Sequence, residues 1–135
     1  MTGVLIVVAA IVLALAFGGY RKLTDGRARV VDPGEARLDA ERLGGSLGSE
    51  ATLVQFSSSV CAACRATRRV LAEVADQRLS VTHIEIDAET RLDLVQEFDV
   101  TRTPTVLLLD ASGAIRHRIV GPTRGPGVVA ALDQM

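Results

Sequence analysis

The chain's only two cysteines, Cys61 and Cys64, stand where a β-strand gives way to a helix. Upstream runs Ala51-Thr-Leu-Val-Gln-Phe56, apolar and partly β-branched, the pattern of a buried strand. Downstream, Ala63, Thr67, Val70, Leu71 and Val74 recur at intervals of three and four, which predicts an amphipathic helix. The Cys-x-x-Cys spacing lets both sulfurs meet in one small ring. The position puts Cys61 at a helix N-terminus, where free N–H groups and the helix dipole favour a thiolate. One thiolate to attack and a second thiol to resolve is what thiol–disulfide exchange requires. Two plainer readings compete. A structural zinc site needs four ligands, and only His83 and His117 could join the pair, neither at zinc-finger spacing. Alternatively the two residues are small buried hydrophobes.

The N-terminus is a second strong constraint. Met1 to Tyr20 carries no charged side chain, and Val4 to Phe17 is almost wholly Val, Leu, Ile, Ala and Phe. A membrane-spanning helix needs about 20 apolar residues, and Tyr20 supplies an interfacial aromatic. Residues 1–20 therefore read as a transmembrane anchor and 21–28 as a polar linker. A cleaved signal peptide is the alternative, with Ala14-Leu-Ala16 resembling a cleavage site, although no basic residue precedes the apolar run. Arg21, Lys22, Arg27 and Arg29 follow the span, so the positive-inside rule puts the rest of the chain on the cytoplasmic face. Export behind a single N-terminal anchor would place it on the extracytoplasmic face instead.

From residue 29 the order reads β-α-β-α-β-α-β-β-α. A short strand at Arg29–Val31 precedes a helix from Asp32-Pro33 to about Leu43, stopped by Gly44-Gly45. Arg65, Arg68, Arg69, Glu73 and Asp76 lie on the exposed side of the cysteine helix, with Arg69 and Glu73 spaced to pair. Val81 to Asp87 alternates as a strand, with His83, Glu85 and Asp87 on one face. Glu89 to Phe98 reads as a helix with Leu92, Val95 and Phe98 inward. Thr105–Leu109 and Ala114–Val120 are strands joined by the turn Asp110-Ala-Ser-Gly113. Pro126 to Met135 forms a last helix. Alternating elements suggest parallel pairing in the first part, the hairpin adds antiparallel strands, and the fold class is α/β, a mixed sheet with helices on both faces. With 135 residues, 48% of them hydrophobic, the chain suits one small domain. Fifteen basic against sixteen acidic residues leave no polyelectrolyte signature, so nucleic acid is not implied.

Three places together resemble the thioredoxin superfamily. Cys61-Ala-Ala-Cys64 follows a strand and opens a helix; Val100-Thr-Arg-Thr103-Pro104-Thr105 precedes an apolar strand; Val120-Gly121 ends the last strand. The resemblance covers roughly residues 29–135 and implies a thioredoxin-like domain there. It implies Cys61 as nucleophile and Cys64 as resolving thiol. It also implies a cis Pro104 packed against the disulfide and a Thr103 backbone offered to the substrate chain, with Val60 and Gly121 bordering the same surface. The sequence departs from thioredoxins, which usually have Trp before the first cysteine and Gly-Pro between the two, where Val60 and Ala62-Ala63 stand here. Gln55 occupies the place of their buried Asp, and His83 that of the nearby Lys. His83 is then the candidate proton acceptor for Cys64, unless it is a surface residue beside Glu85 and Asp87.

These features imply a membrane-tethered thiol–disulfide oxidoreductase, read in the reductase direction, similar to the anchored thiol reductases that serve cytochrome maturation. It would exchange disulfides with protein partners as a monomer, held to the membrane by residues 1–20. No small-molecule cofactor or metal is implied, since the electrons reside in the two sulfurs. A non-catalytic thioredoxin-fold binding module is the alternative.

Overall fold

The structure, a computed structural model, describes residues 1–32 and 36–135. Its first element is helix α1, Thr2–Thr24. Then come β1 (Ala28–Val30), α2 (Ala40–Leu43), β2 (Ala51–Ser57), α3 (Ala62–Gln77) and β3 (Val81–Asp87). The remainder is α4 (Leu92–Glu97), β4 (Thr105–Asp110), β5 (Ile115–Val120) and α5 (Gly125–Asp133). The five strands form one mixed sheet in the order β1-β5-β4-β2-β3. β2 pairs parallel with β3 and antiparallel with β4, so the strand leading to the cysteines lies inside the sheet.

Each face of the sheet carries its own core. Leu71 and Val74 of α3 and Val128, Ala131 and Leu132 of α5 cover Leu53, Val106, Leu108 and Ile119. On the other side Leu43 of α2 and Leu94 of α4 cover Val54, Phe56, Leu107 and Leu109. Burial on both faces explains why β2 reads as a continuous apolar run rather than an alternating one. Fully burying one such Leu or Phe contributes about 1.5–3 kcal/mol.

Four expectations need correction, three of them within the sheet domain. The helix from Asp32-Pro33 to Leu43 shrinks to Ala40–Leu43; its expected start falls at residues 33–35, outside the described residues. Asp39 supplies the N-cap, its carboxylate accepting from Arg42 N–H at 2.8 Å. Residues 36–38 are extended because their backbone groups serve the β4–β5 hairpin. Leu38 N–H donates to Gly113 O at 2.9 Å, and Ala36 O accepts from Ile115 N–H at 3.3 Å. β1 joins the sheet antiparallel, beside β5, so β2–β3 is the parallel pair of this sheet. In α4, Leu94 and Phe98 point inward while Leu92 is exposed, because Leu94 and Phe98 are the i,i+4 pair over the β2–β4 surface.

α1 runs unbroken to Thr24, so residues 21–24 are helical and not linker. Among the described residues it is the one helix long and apolar enough to cross a membrane, with mean hydropathy 2.5 and none of its apolar window buried. Its length and composition fit a membrane span or a signal sequence alike.

Candidate functional site

The cysteine pair sits at the junction of β2 and α3, as the local sequence requires. Cys61 is the N-cap of α3 and its sulfur accepts from Cys64 N–H at 3.1 Å. The two are joined in a disulfide with a Cα–Cα distance of 5.2 Å. Their exposure differs sharply: Cys61 is half-buried, whereas Cys64 is 1% exposed. Val60, 88% exposed, projects beside Cys61.

Behind Cys64 lies a polar cluster inside an otherwise apolar layer. Gln55 is fully buried on β2. Its Nε2 donates to the Cys64 carbonyl and to Ser57 Oγ, both at 2.9 Å. Its Oε1 lies 3.0 Å from His83 Nε2. Because Oε1 can only accept, that contact makes Nε2 the protonated nitrogen of His83. His83 is half-buried. Burial pushes its pKa below the ordinary value; Glu85 opposes the shift and Arg68 adds to it. Arg68 holds Glu85 in a two-bonded ion pair, at 2.6 Å for both bonds. That is the pair α3 makes across to β3; among the described residues Arg69 and Glu73 form none.

Across from the cysteines runs the loop into β4. The Thr103–Pro104 peptide is cis and Pro104 is buried. Thr103 Oγ1 lies 3.4 Å from Ser58 Oγ, on the loop that carries Cys61. The Pro104 carbonyl accepts from Gly121 N–H at 2.8 Å, and Thr105 Oγ1 donates to the Arg102 carbonyl at 2.6 Å. Arg102 reaches the Asp25 carboxylate with both terminal nitrogens, at 3.1 and 3.3 Å. Cys61, Cys64, Val60, Thr103, Pro104 and Gly121 thus share one end of the sheet, and His83 lies one side chain behind Cys64. Sequence reasoning missed the Asp25–Arg102 pair and the use of Gln55 as a hydrogen-bond hub. A lone Gln inside Leu-Val-Gln-Phe was the one local signal for the second.

A strand–Cys-x-x-Cys–helix unit opposite a cis-proline loop, on a mixed sheet covered on both faces, defines the class: a thioredoxin-fold protein with a redox-type cysteine pair. The family model for thioredoxin matches residues 45–134, and the chain belongs to the thioredoxin family. It is 34% identical over 70 residues to the bifunctional thioredoxin reductase/thioredoxin of Mycobacterium leprae, covering 51% of this chain and 15% of that protein. It is 33% identical over 69 residues to thioredoxin H2 of Arabidopsis thaliana, covering 51% of each. The chain therefore spans about half the length of the plant relative and much less of the bifunctional one. Mitochondrial thioredoxin 3 of Saccharomyces cerevisiae in its oxidised form shares the fold, with TM-score 0.57 and 18% identity over 64% of this chain and 80% of that one.

Proposed function

We propose that this protein is a membrane-tethered thiol–disulfide oxidoreductase acting on protein partners, with residues 1–20 inside the membrane and the thioredoxin-like domain, about residues 29–135, outside it. The observation that carries this reading is the asymmetry of the pair: an accessible Cys61 at the first turn of α3 and a Cys64 almost wholly covered. In the reductase direction the Cys61 thiolate, favoured by the helix N-terminus, attacks a partner disulfide and releases one partner thiolate. Cys64 then attacks the mixed disulfide, the second partner thiol leaves, and the Cys61–Cys64 disulfide remains. The cis-proline loop at Thr103–Pro104, with Val60 and Gly121, forms the surface that receives the partner chain. Gln55 and His83 fix the first turn of α3 by holding the Cys64 carbonyl. With Nε2 committed to Gln55, Nδ1 is the His83 nitrogen left to take a proton.

The test combines turnover with trapping. The full chain reduces insulin disulfides, and a Cys64→Ser chain accumulates mixed disulfides through Cys61. Redox state is read by alkylation mass shift, because the chain has no Trp. No turnover in either direction would leave a non-catalytic binding module, and labelling first at Cys64 below pH 8 would overturn the roles given to the two cysteines.

A further inference from the structure

We propose that the junction between α1 and β1 is a latch that holds the cysteine site close to the bilayer, so that the disulfides served are those of membrane-embedded partners, near the membrane surface. This rests on the reading of α1 as a membrane span.

The junction leaves almost no slack. α1 ends at Thr24, and Gly26 N–H already donates to the Val120 carbonyl at 2.9 Å. One residue, Asp25, separates the helix from chain docked on the sheet. That residue grips Arg102, two positions before Pro104, through two partly buried hydrogen bonds. The contact is close-fitted at two glycines. Gly26 has φ +75°, and a Cβ there would stand 2.0 Å from the Pro122 carbonyl oxygen. Gly121 has φ +91°, and a Cβ there would meet Arg102 Nη2 at 3.2 Å and Asp25 Cγ at 3.4 Å. Gly121 is also the residue that donates to Pro104. The anchor, the proline loop and the end of β5 thus meet in one set of contacts.

Strand register fixes the distance. Ala28 lies opposite Ile119, Ile119 opposite Val106, and Val106 opposite Gln55. The start of β1 and the end of β2 therefore occupy the same end of the sheet, three strands apart. At about 4.8 Å per strand that is about 14 Å. Arg21 and Lys22 mark the membrane surface on this reading, and Thr24 is two residues farther, about 3 Å along a helix. The cysteine pair is thereby tied to the same end of the sheet as the anchor, about 14 Å across it, and cannot swing away from the bilayer as a domain on a flexible tether would. The partner this geometry fits is an integral membrane protein whose disulfide lies in its juxtamembrane segment, met by exposed Val60 beside Cys61.

The experiment uses the full chain in phosphatidylcholine vesicles. Flotation with the vesicles after an alkaline carbonate wash tests the anchor by itself, and loss there refutes the span separately. The probe is a disulfide-bridged peptide joined to phosphatidylethanolamine by polyproline spacers of about 3, 8 or 16 residues. At about 3.1 Å per residue these hold it near 9, 25 and 50 Å. In a single turnover the reduced Cys61–Cys64 pair gives two electrons and two protons to the probe, ending as a disulfide while the probe ends as two thiols. The wild-type rate should fall at least tenfold from the shortest spacer to the longest. Inserting about fifteen Gly and Ser residues between Thr24 and Asp25 adds a flexible reach of about 21 Å and should flatten that dependence to under threefold. Soluble insulin should react equally with both chains. Superimposable height profiles for the two chains overturn the proposal. A second measurement stands apart from the insertion's folding: energy transfer from a fluorophore on Cys61 of the Cys64→Ser chain to headgroup-labelled lipid. A height above about 40 Å, well beyond the strand-spacing separation, also overturns it.

Discussion

Replacing Gln55 by Leu should loosen the redox site without emptying the core. The two side chains are similar in size, so the loss is mainly of hydrogen bonds. Gln55 makes three, at 2.9, 2.9 and 3.0 Å, to the Cys64 carbonyl, Ser57 Oγ and His83 Nε2. A typical intramolecular hydrogen bond contributes about 0.5–1.5 kcal/mol net, which gives roughly 3 kcal/mol for the set. His83 is only half-buried and can turn toward water, and the Leu side chain regains some apolar burial. About 2 kcal/mol of destabilisation remains, a large share of the roughly 5–15 kcal/mol that holds a domain folded. At 1.4 kcal/mol per factor of ten, that is close to 30-fold. The assay is native-state hydrogen exchange by mass spectrometry on peptides from β2 and the first turn of α3, with the protein oxidised and reduced. Amides there should exchange about 30-fold faster in Gln55→Leu, a factor set by the same conversion. A change under about threefold, below 0.7 kcal/mol, would show that the buried amide is not what holds Cys64 in place.

Two further outcomes follow from the same contacts. Burial holds the folded-state pKa of His83 below its ordinary value of about 6.5. As pH falls the unfolded chain is protonated first, so stability present above about pH 6.5 is lost as the pH drops toward the folded-state pKa. His83→Gln should remove that part of the acid slope in a stability profile from pH 8 to 5, and identical slopes would refute it. Gly121→Ala places a Cβ at φ +91° against Arg102 and Asp25. A cost of about 1–2 kcal/mol is expected from the left-handed backbone alone. Mixed-disulfide trapping by the Cys64→Ser chain should slow with it, because the Gly121 N–H fixes Pro104. An unchanged trapping rate would separate Gly121 from the partner surface.

What could be read from the sequence was whatever is encoded locally. β2, α3, the Asp110–Gly113 turn and α5 each carry their signal within a dozen residues, through apolar period, a turn acid or a proline near the helix start. The misreadings arise where a distant partner decides. The extension of residues 36–38 depends on hydrogen bonds to Gly113 and Ile115, more than seventy residues away in sequence. β1, three residues long, carries too little alternation to reveal which edge it joins or in which direction. The Gln55–His83 contact has the same character. It needs β2 and β3 to pair parallel with Leu53 opposite His83, which puts Gln55 on the diagonal from the imidazole.

The region after the apolar run shows most clearly why polarity is a poor guide to flexibility. Arg21, Lys22, Thr24 and Asp25 have the composition of a linker. A helix satisfies its backbone internally, however, and tolerates charge on an exposed surface. Thr24 ties itself to the preceding turn, its hydroxyl donating to the Tyr20 carbonyl at 3.0 Å. Asp25 then spends its charge on an arginine 77 residues along the chain. A bidentate, partly buried carboxylate–guanidinium pair fixes orientation as well as distance, which a screened surface ion pair does not. Asp25, which looks like part of a flexible spacer, is therefore the residue that couples α1 to the proline loop. Lengthening the chain at that point should change which disulfides the site can reach while leaving the chemistry of Cys61 and Cys64 as it is.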